Sequence, residues 1–242
     1  MLIAIPSKGR PMIGKSAKTL RGAVLFVPAA EAEGYGRGHP GREVVPVPDD
    51  VRGITRTRNW ILDYAAARGE RWVVMVDDDL RAAGWIELGH ARGRHRRLSP
   101  AAWEAEFVRL FEVTEGIGFR VWGLKTESAI RSTYPYRPFV FHTYLTASCL
   151  GILNDGRTRF DESFPVKEDY ELGLRLIRED GGILGVRYLY WENDHWTREG
   201  GCKSYRTQAV EEAAIRRLIA MYPGLIRRVR RGGSEYSIEI EF

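Results

Sequence analysis

The sequence predicts an α/β protein with a mixed, mostly parallel sheet flanked by helices. Short apolar runs with the composition of buried strands alternate along the chain with longer segments of helical period. The most informative run covers residues 72–76 and ends abruptly in Asp77, Asp78 and Asp79. A buried strand of this kind brings its carboxylates to the carboxyl edge of the sheet, where open α/β sheets bind ligands.

The three adjacent acids at this edge require compensation. Neighbouring carboxylates repel one another, and their placement after a core strand is costly unless a cation or a set of hydrogen-bond donors offsets the charge. A divalent metal is the simplest such cation, since hard oxygen ligands suit Mg²⁺ or Mn²⁺ and these ions commonly bridge to nucleotide phosphates. A solvated acidic turn is the alternative interpretation.

Composition indicates a globular protein without a membrane-spanning segment. The 242 residues are 44% hydrophobic and 29% charged, and no window approaches the roughly 18 apolar residues of a spanning helix. Cys149 and Cys202 lie in unrelated contexts, so we expect reduced thiols and a cytoplasmic location. A net charge of +5 permits a polyanionic partner without requiring one.

The first strand leads into a candidate nucleotide-binding loop. Residues 2–5 form a short apolar run, and a small, basic, glycine-containing loop follows with Pro6, Ser7, Lys8 and Arg10. Such a loop offers backbone N–H groups and cations to a nucleotide. An ordinary exposed loop is the alternative.

Two further strands are predicted over residues 24–28 and 43–47. The prolines of the second run indicate a position at a sheet edge or strand end. Between the two runs, residues 33–41 are rich in glycine and predict a surface loop.

Residues 54–65 have one apolar stripe and predict a helix capped at Thr55 or Thr57. Arg56 and Arg58 lie near its N-terminus, where the helix dipole disfavours cations. An anion nearby, such as a sugar-nucleotide diphosphate, would explain them. Simple solvation is the alternative.

The segment that follows the acids, residues 81–100, is polar and is predicted to be irregular. It contains a nearly continuous basic run, formed by Arg92, Arg94, His95, Arg96 and Arg97. Such a run suits a nucleic-acid backbone, a mobile lid over phosphates, or plain solvation. Ser99 and Pro100 then begin a helix predicted to end near Glu115, and a strand follows over residues 118–124.

An aromatic, proline-containing segment precedes the next strand. Residues 132–141 include Tyr134 and Tyr136, which alternate with proline and arginine. Rings in this setting suit the stacking of an extruded base, and ordinary packing is the alternative. Residues 144–153 predict a central strand whose small side chains would let a sugar approach the backbone.

A second acidic motif begins a helix. Glu168 and Asp169 fall in the first turn of a segment predicted to end at Gly181. Acids in a first turn also stabilise the helix dipole, so a structural role is the alternative.

A strand over residues 183–190 leads to His195, a candidate metal ligand or a buried, hydrogen-bonded histidine. Residues 207–221 predict an amphipathic helix and residues 236–242 a terminal strand.

The order of these features resembles a GT-A glycosyltransferase across nearly the whole chain. More narrowly, residues 5–11 (IPSKGRP), 53–59 (GITRTRN) and 167–170 (KEDY) resemble the phage-type TET-associated glycosyltransferases. That family is thought to add a sugar to 5-hydroxymethylcytosine in DNA. The resemblance implies a UDP-sugar donor, Mn²⁺ or Mg²⁺, double-stranded DNA as acceptor and, for a bacteriophage protein, the host cytoplasm.

The resemblance also implies one GT-A-like, Rossmann-like catalytic domain over residues 1–242. Residues 1–80 would form the nucleotide-binding half and residues 81–206 the acceptor and catalytic half. The C-terminal helix and strand would occupy residues 207–242.

Roles for individual residues follow from the resemblance. Asp77 and Asp79 would bracket the ribose and the metal as a DXD motif does, with His195 completing the metal site. Asp169 is the candidate general base, and Glu168 is the alternative. The nucleotide-sugar would be held by Pro6, Ser7, Lys8, Arg10, Arg56, Arg58, Asp77 and Asp78. The DNA acceptor would be held by Arg92, Arg94, Arg96, Arg97, Tyr134 and Tyr136.

Three other functions fit the same residues. A GT-A enzyme with a carbohydrate, protein or small-molecule acceptor uses the same acids, as does a nucleotidyltransferase. A non-catalytic nucleic-acid-binding module would keep the fold and the basic run alone. Among enzymes, one carboxylate base favours a single displacement that inverts the anomeric centre.

Overall fold

The structure is a computed structural model that describes residues 1–12, 15–87, 94–127, 138–145, 147–193, 205–228 and 238–240. The strands are β1 (Leu2–Pro6), β2 (Val24–Pro28), β3 (Val44–Val47), β4 (Trp72–Val76), β5 (Leu80–Glu87), β6 (Arg94–Arg97), β7 (Val121–Glu127), β8 (Phe139–Val140), β9 (Cys149–Leu153), β10 (Leu184–Asn193), β11 (Ile226–Arg228) and β12 (Ile238–Ile240). The helices are α1 (Lys15–Thr19), α2 (Ala32–Gly38), α3 (Ile54–Ala67), α4 (Pro100–Ile117), α5 (Glu168–Asp180) and α6 (Gln208–Met221), with a 3₁₀ turn at Ala29–Glu31.

The main sheet confirms the predicted mixed, mostly parallel arrangement. Among the described residues it has ten strands, of which nine follow the order β3-β2-β1-β4-β9-β7-β10-β5-β6, while β8 pairs with β10. The pairings give β5, β8 and β9 one direction and the other seven strands the opposite one. The carboxyl ends of β1 and β4 therefore lie side by side, as the acidic motif requires.

Helices cover both faces of this sheet. The alternating side chains of β4 show the two layers, because Val74 packs in the cluster with α1, α2 and α4, while Val73 packs in the cluster with α3 and α5. A strand buried on both faces has no polar alternation, which explains the continuous apolar run that marked β4 in the sequence.

The central strand predicted over residues 144–153 is shorter in the structure, where β9 covers Cys149–Leu153. Gly151 lies on this strand, and a Cβ placed there would overlap the buried indole of Trp122. The open side of Gly151 is therefore filled by packing, and the predicted approach of a sugar does not hold at this position.

Replacing Gly151 with Ala is expected to lower the free energy of unfolding by about 1–3 kcal/mol. The added methyl group would force the indole of Trp122 to shift, and that indole already packs against the rings of Phe107 and Phe111. Gly36→Ala is the matched control, since a Cβ at this helical position meets nothing within 4 Å. The control should be neutral or slightly stabilising. Denaturant unfolding measures both variants, and equal stability of the two would contradict the packing argument.

Several element predictions are confirmed and three are wrong. Ser99 caps α4 by accepting from the amide of Ala102, and Gly181 ends α5 in the left-handed region. The predicted loop over residues 33–41 is helical as far as Gly38, because the fully buried side chain of Tyr35 anchors α2 to the core. Neither threonine caps α3, since the N-cap is Gly53.

The third wrong prediction concerns the segment over residues 81–100, which contains strands β5 and β6 rather than irregular chain. The inward side chains of β5 include Ala82 and Ala83, which are too small to give a strong apolar pattern. Strand β6 consists of basic residues and pairs with β5 through its backbone, so its composition gives no strand signal.

Across the part of the chain that is described, none of the helices has both the length and the apolar composition to cross a membrane.

Candidate functional site

The first feature of the site is the carboxylate of Asp78, the middle one of the three acids that follow β4. Asp78 is buried, and its carboxylate accepts hydrogen bonds from the hydroxyl of Ser7 and from Nη1 of Arg10, the latter at 2.6 Å. Tyr35 supports the same loop, with its hydroxyl 2.7 Å from Ser7 Oγ and 3.0 Å from the amide of Arg10. Asp78 therefore fixes the loop that follows β1, whereas Asp77 contacts Arg58.

The backbone of the acidic turn is held by Ser16, at the start of α1. Its hydroxyl donates to the carbonyl of Asp77 and accepts from the amide of Leu80 at 2.9 Å. The amide of Ser16 also lies 3.4 Å from the carbonyl of Asp78. Ser16 was not among the predicted site residues, because no motif marks a serine that acts through backbone groups more than sixty positions away.

Arg58 joins the two acidic motifs. Its side chain is buried, its Nη1 forms an ion pair with Glu168, and its Nη2 lies 3.5 Å from Asp77 Oδ1. The guanidinium also lies over the ring of Phe160, 5.5 Å from the centroid. The cation predicted to need an anionic partner at the start of α3 thus finds two carboxylates of its own chain.

Burial dominates the electrostatics of these carboxylates. Loss of hydration raises the pKa of Asp77 to about 6 although part of its side chain remains exposed; Arg58 opposes the rise, and Asp79 and Asp78 add to it. Burial likewise raises the pKa of Glu168, with Arg58 opposing and Asp169 reinforcing the rise. Both carboxyl groups therefore hold their protons more tightly than usual, and a cation bound beside them would favour their charged forms.

Asp169 is held differently from Glu168. Its Oδ2 accepts from the amide of Ala147 at 3.2 Å, and its Oδ1 accepts from the amide of Tyr170 at 2.9 Å. The next residue after Ala147 is Ser148, whose carbonyl accepts from the amide of Asp77 at 2.9 Å. The two acidic motifs thus flank the same short segment, and Asp169 keeps a partly exposed carboxylate.

The donor set fits a hard divalent ion in its chemistry. The Asp77 side chain is 35% exposed, Asp79 is partly exposed, and carboxylate oxygens are the ligands that Mg²⁺ and Mn²⁺ prefer. Within residues 1–193 and 205–240, as far as they are described, no group of three His, Cys, Asp or Glu side chains is arranged to hold a metal. His195, the predicted third ligand, lies outside the described residues.

The remaining predicted residues are more dispersed. Pro6 is buried at the end of β1, and Lys8 is exposed in the loop after it. Arg56 is 56% exposed and its Nε lies 3.3 Å from Glu162. Arg96 and Arg97 are exposed on β6. Arg92, Tyr134 and Tyr136 lie outside the described residues, and Arg94 is described only through its place in β6.

Comparison with protein families agrees with this arrangement. The model of the family named TET-Associated Glycosyltransferase matches residues 1–201, which include both acidic motifs and the loop after β1. The chain belongs to the TET-associated glycosyltransferases. The family resemblance, the GT-A-like α/β class and the assignment as a glycosyltransferase are therefore confirmed.

Solved structures similar to this glycosyltransferase include nucleotide-dependent enzymes. CMP:2-keto-3-deoxy-manno-octonic acid synthetase complexed with CTP is 14% identical, with a TM-score of 0.44 and coverage of 91% of this chain and 98% of that one. A protein of Desulfovibrio desulfuricans described as a nucleotide-diphospho-sugar transferase is 10% identical, with a TM-score of 0.45 and coverage of 91% and 97%. A UDP-glucose pyrophosphorylase complexed with UDP-glucose is 9% identical, with a TM-score of 0.44 and coverage of 80% and 92%. No curated protein matches the sequence significantly.

Proposed function

We propose that this glycosyltransferase transfers a sugar from a UDP-sugar to the hydroxymethyl group of 5-hydroxymethylcytosine in DNA, with a divalent metal ion as cofactor. The observation that carries the proposal is the contact of Arg58 with both Asp77 and Glu168. Acids some ninety positions apart thereby meet at one edge of the sheet, as a donor site and a base require. The family supplies the expectation of a modified-DNA acceptor.

Asp169 is the general base of this proposal. It accepts the proton of the acceptor hydroxyl while that oxygen forms a bond to the anomeric carbon of the sugar. The bond from the anomeric carbon to the diphosphate oxygen breaks, and its electron pair leaves with UDP, so the anomeric centre is inverted. Asp169 is favoured over Glu168 because the carboxylate of Glu168 is buried against Arg58, whereas Asp169 is partly exposed.

The donor lies, in this proposal, between the loop after β1 and the acidic turn. Asp77, Asp79 and His195 would hold the metal ion, which as a Lewis acid offsets the charge of the departing diphosphate. The nucleotide would rest on Pro6 and beside the loop whose shape Asp78 fixes through Ser7 and Arg10. Lys8, which is exposed in this loop, would supply positive charge to the phosphates. Arg58 would act through its contact with Asp77, whereas Arg56 pairs with Glu162.

The proposed DNA acceptor approaches along the basic strand β6. The side chains of Arg96 and Arg97 are exposed there, and the guanidinium of Arg96 is supported by the ring of Trp85 at 5.2 Å. Such cations suit phosphate contacts, which position a duplex without reading its sequence. The family resemblance assigns Arg92, Arg94, Tyr134 and Tyr136 to the same DNA contact, and they remain part of the proposal.

Incubation with Mn²⁺, a panel of UDP-sugars and a hydroxymethylated duplex is expected to add the mass of one sugar to each modified cytosine. Transfer is expected only with this duplex, because only the modified cytosine presents a hydroxymethyl group from which Asp169 can take the proton. A plain duplex of the same sequence is the matched control and should show no mass change. Mass spectrometry of the digested DNA measures the product.

Removal of the metal is the second arm of the same assay. EDTA is expected to abolish transfer, and excess Mn²⁺ should restore it. Transfer to a carbohydrate or protein acceptor but not to the modified duplex would replace the DNA proposal. Salt-dependent DNA binding without turnover of any UDP-sugar would indicate a binding module instead.

A further inference from the structure

Lys167, the residue that precedes the two acids of α5, has an unusual backbone conformation. Its φ is +62°, and among the described residues it is the single non-glycine residue with positive φ. It forms the N-cap of α5, and its carbonyl accepts the first helical hydrogen bond, from the amide of Glu171 at 3.1 Å. Left-handed backbone is unfavourable for a side chain with a Cβ, so other contacts must hold it in place.

The side chain of Lys167 supplies such contacts. Its Nζ lies 3.4 Å from Oε2 of Glu211, and the two side chains are only 10% and 5% exposed. The same ammonium lies over the ring of Tyr170, 5.0 Å from the centroid. The Tyr170 ring also stacks with Tyr144, with 5.1 Å between the ring centroids and an interplanar angle of 2°.

Glu211 belongs to α6, which begins after the residues matched by the family model. Arg206 also donates to Glu211, through its Nε. The helix is packed firmly onto α5, because Ile215 and Leu218 are buried in one cluster with Leu174 and Phe164. Glu211 is therefore a fixed anion presented to the start of α5 by a separate element.

We propose that Glu211 is a positioning residue for the general base Asp169. It holds the ammonium of Lys167, the ammonium keeps residue 167 in the left-handed conformation, and this conformation sets the direction of the first turn of α5. That turn carries Asp169 toward the amide of Ala147. The inference rests on the proposed role of Asp169 in transfer.

Glu211→Gln tests the first step of this chain of contacts. The change leaves the buried ammonium of Lys167 without its carboxylate, so the side chain is expected to move out and the backbone to relax toward the right-handed region. A displacement of about 1 Å at a catalytic group lowers a rate about 10²-fold. We expect a fall of that order in kcat, with the KM for the UDP-sugar within about twofold of the wild type.

The double variant Lys167→Gly/Glu211→Gln separates geometry from charge. Glycine adopts positive φ without a steric penalty, and the double variant has no buried ammonium to expel. It is expected to recover kcat to within about tenfold of the wild type. Glu212→Gln is the matched control, since this neighbouring carboxylate of α6 pairs instead with Arg228 at 2.7 Å and should leave kcat unchanged.

Amide hydrogen exchange of the protein without substrate gives a readout independent of activity. The amides of the first turn of α5 should exchange faster in Glu211→Gln and return toward wild-type protection in the double variant. Wild-type protection and wild-type kcat in Glu211→Gln would overturn the inference. So would a double variant as slow as Glu211→Gln, because the ammonium itself would then be needed. If the wild type itself transfers no sugar, the proposed function fails, and hydrogen exchange alone still decides the structural coupling.

Discussion

Asp169→Asn is expected to lower kcat for sugar transfer by about 10²–10⁴-fold, the usual contribution of a general base. The amide has the shape of the carboxylate, and its oxygen can still accept from the amide of Ala147, although its NH2 group loses the bond from the amide of Tyr170. The amide takes up no proton from the acceptor hydroxyl. The groups proposed to hold the nucleotide are untouched. The dissociation constant of the UDP-sugar should therefore stay within about twofold of the wild type, as measured by calorimetry.

Asp63→Asn is the matched control for this experiment. It makes the same chemical change at a side chain that is 65% exposed on α3 and pairs with Arg159 at the surface. The control should retain the wild-type kcat. An unchanged kcat in Asp169→Asn would remove this residue from the mechanism, whereas a weakened donor affinity would assign it to binding rather than to proton transfer.

Arg58→Met is expected to lower the free energy of unfolding by about 3–5 kcal/mol. Removal of one partner from a buried ion pair leaves the other charge uncompensated, and that penalty exceeds the value of the pair itself. Here Glu168 and Asp77 both lose their guanidinium contact. Denaturant unfolding measures the loss, and the variant should also fail to transfer sugar.

The loss should depend on pH in a defined direction. Burial raises the pKa of Glu168 above its ordinary value of 4.5, and without Arg58 it rises further. A raised folded pKa means that the native state binds the proton more tightly than the unfolded chain. The stability of Arg58→Met is therefore greatest when Glu168 is protonated, and it falls as the pH rises through the raised pKa.

Arg56→Met is the control for stability. Arg56 lies two positions earlier in the same helix, but it is 56% exposed and forms a surface pair with Glu162. Loss of a surface ion pair changes stability by at most about 1 kcal/mol. Equal destabilisation by the two substitutions would show that helix α3, and not the buried pair, accounts for the effect.

Much of the fold can be predicted from local sequence patterns. The apolar run of β4, the serine before Pro100 and the glycine after α5 each act through neighbours within a few positions, so sequence alone places them. The same holds for the two acidic motifs, because a strand end and a helix start can be predicted locally. That the two motifs meet at one site depends on the order of the strands in the sheet. The family resemblance, and not a local pattern, predicted that they meet.

Other features of the site depend on contacts between residues far apart in the sequence, which no local pattern predicts. Ser16 acts on the backbone of the acidic turn, and Tyr35 supports the loop after β1 from α2. The exposure of two arginines near the start of α3 also differs, since Arg58 is buried and Arg56 is exposed. Sequence alone does not distinguish the two arginines, because their exposure depends on which side of α3 faces Glu168.

The two borders of the main sheet bear on how copies of this protein meet in solution. Strand β3 forms one border and contains Pro46, which has no N–H to donate to an added strand. Strand β6 forms the other border, and its basic side chains repel the same strand of a second molecule. Among the described strands, both borders therefore disfavour pairing with the sheet edge of a second molecule, while the cationic border stays open to a polyanion.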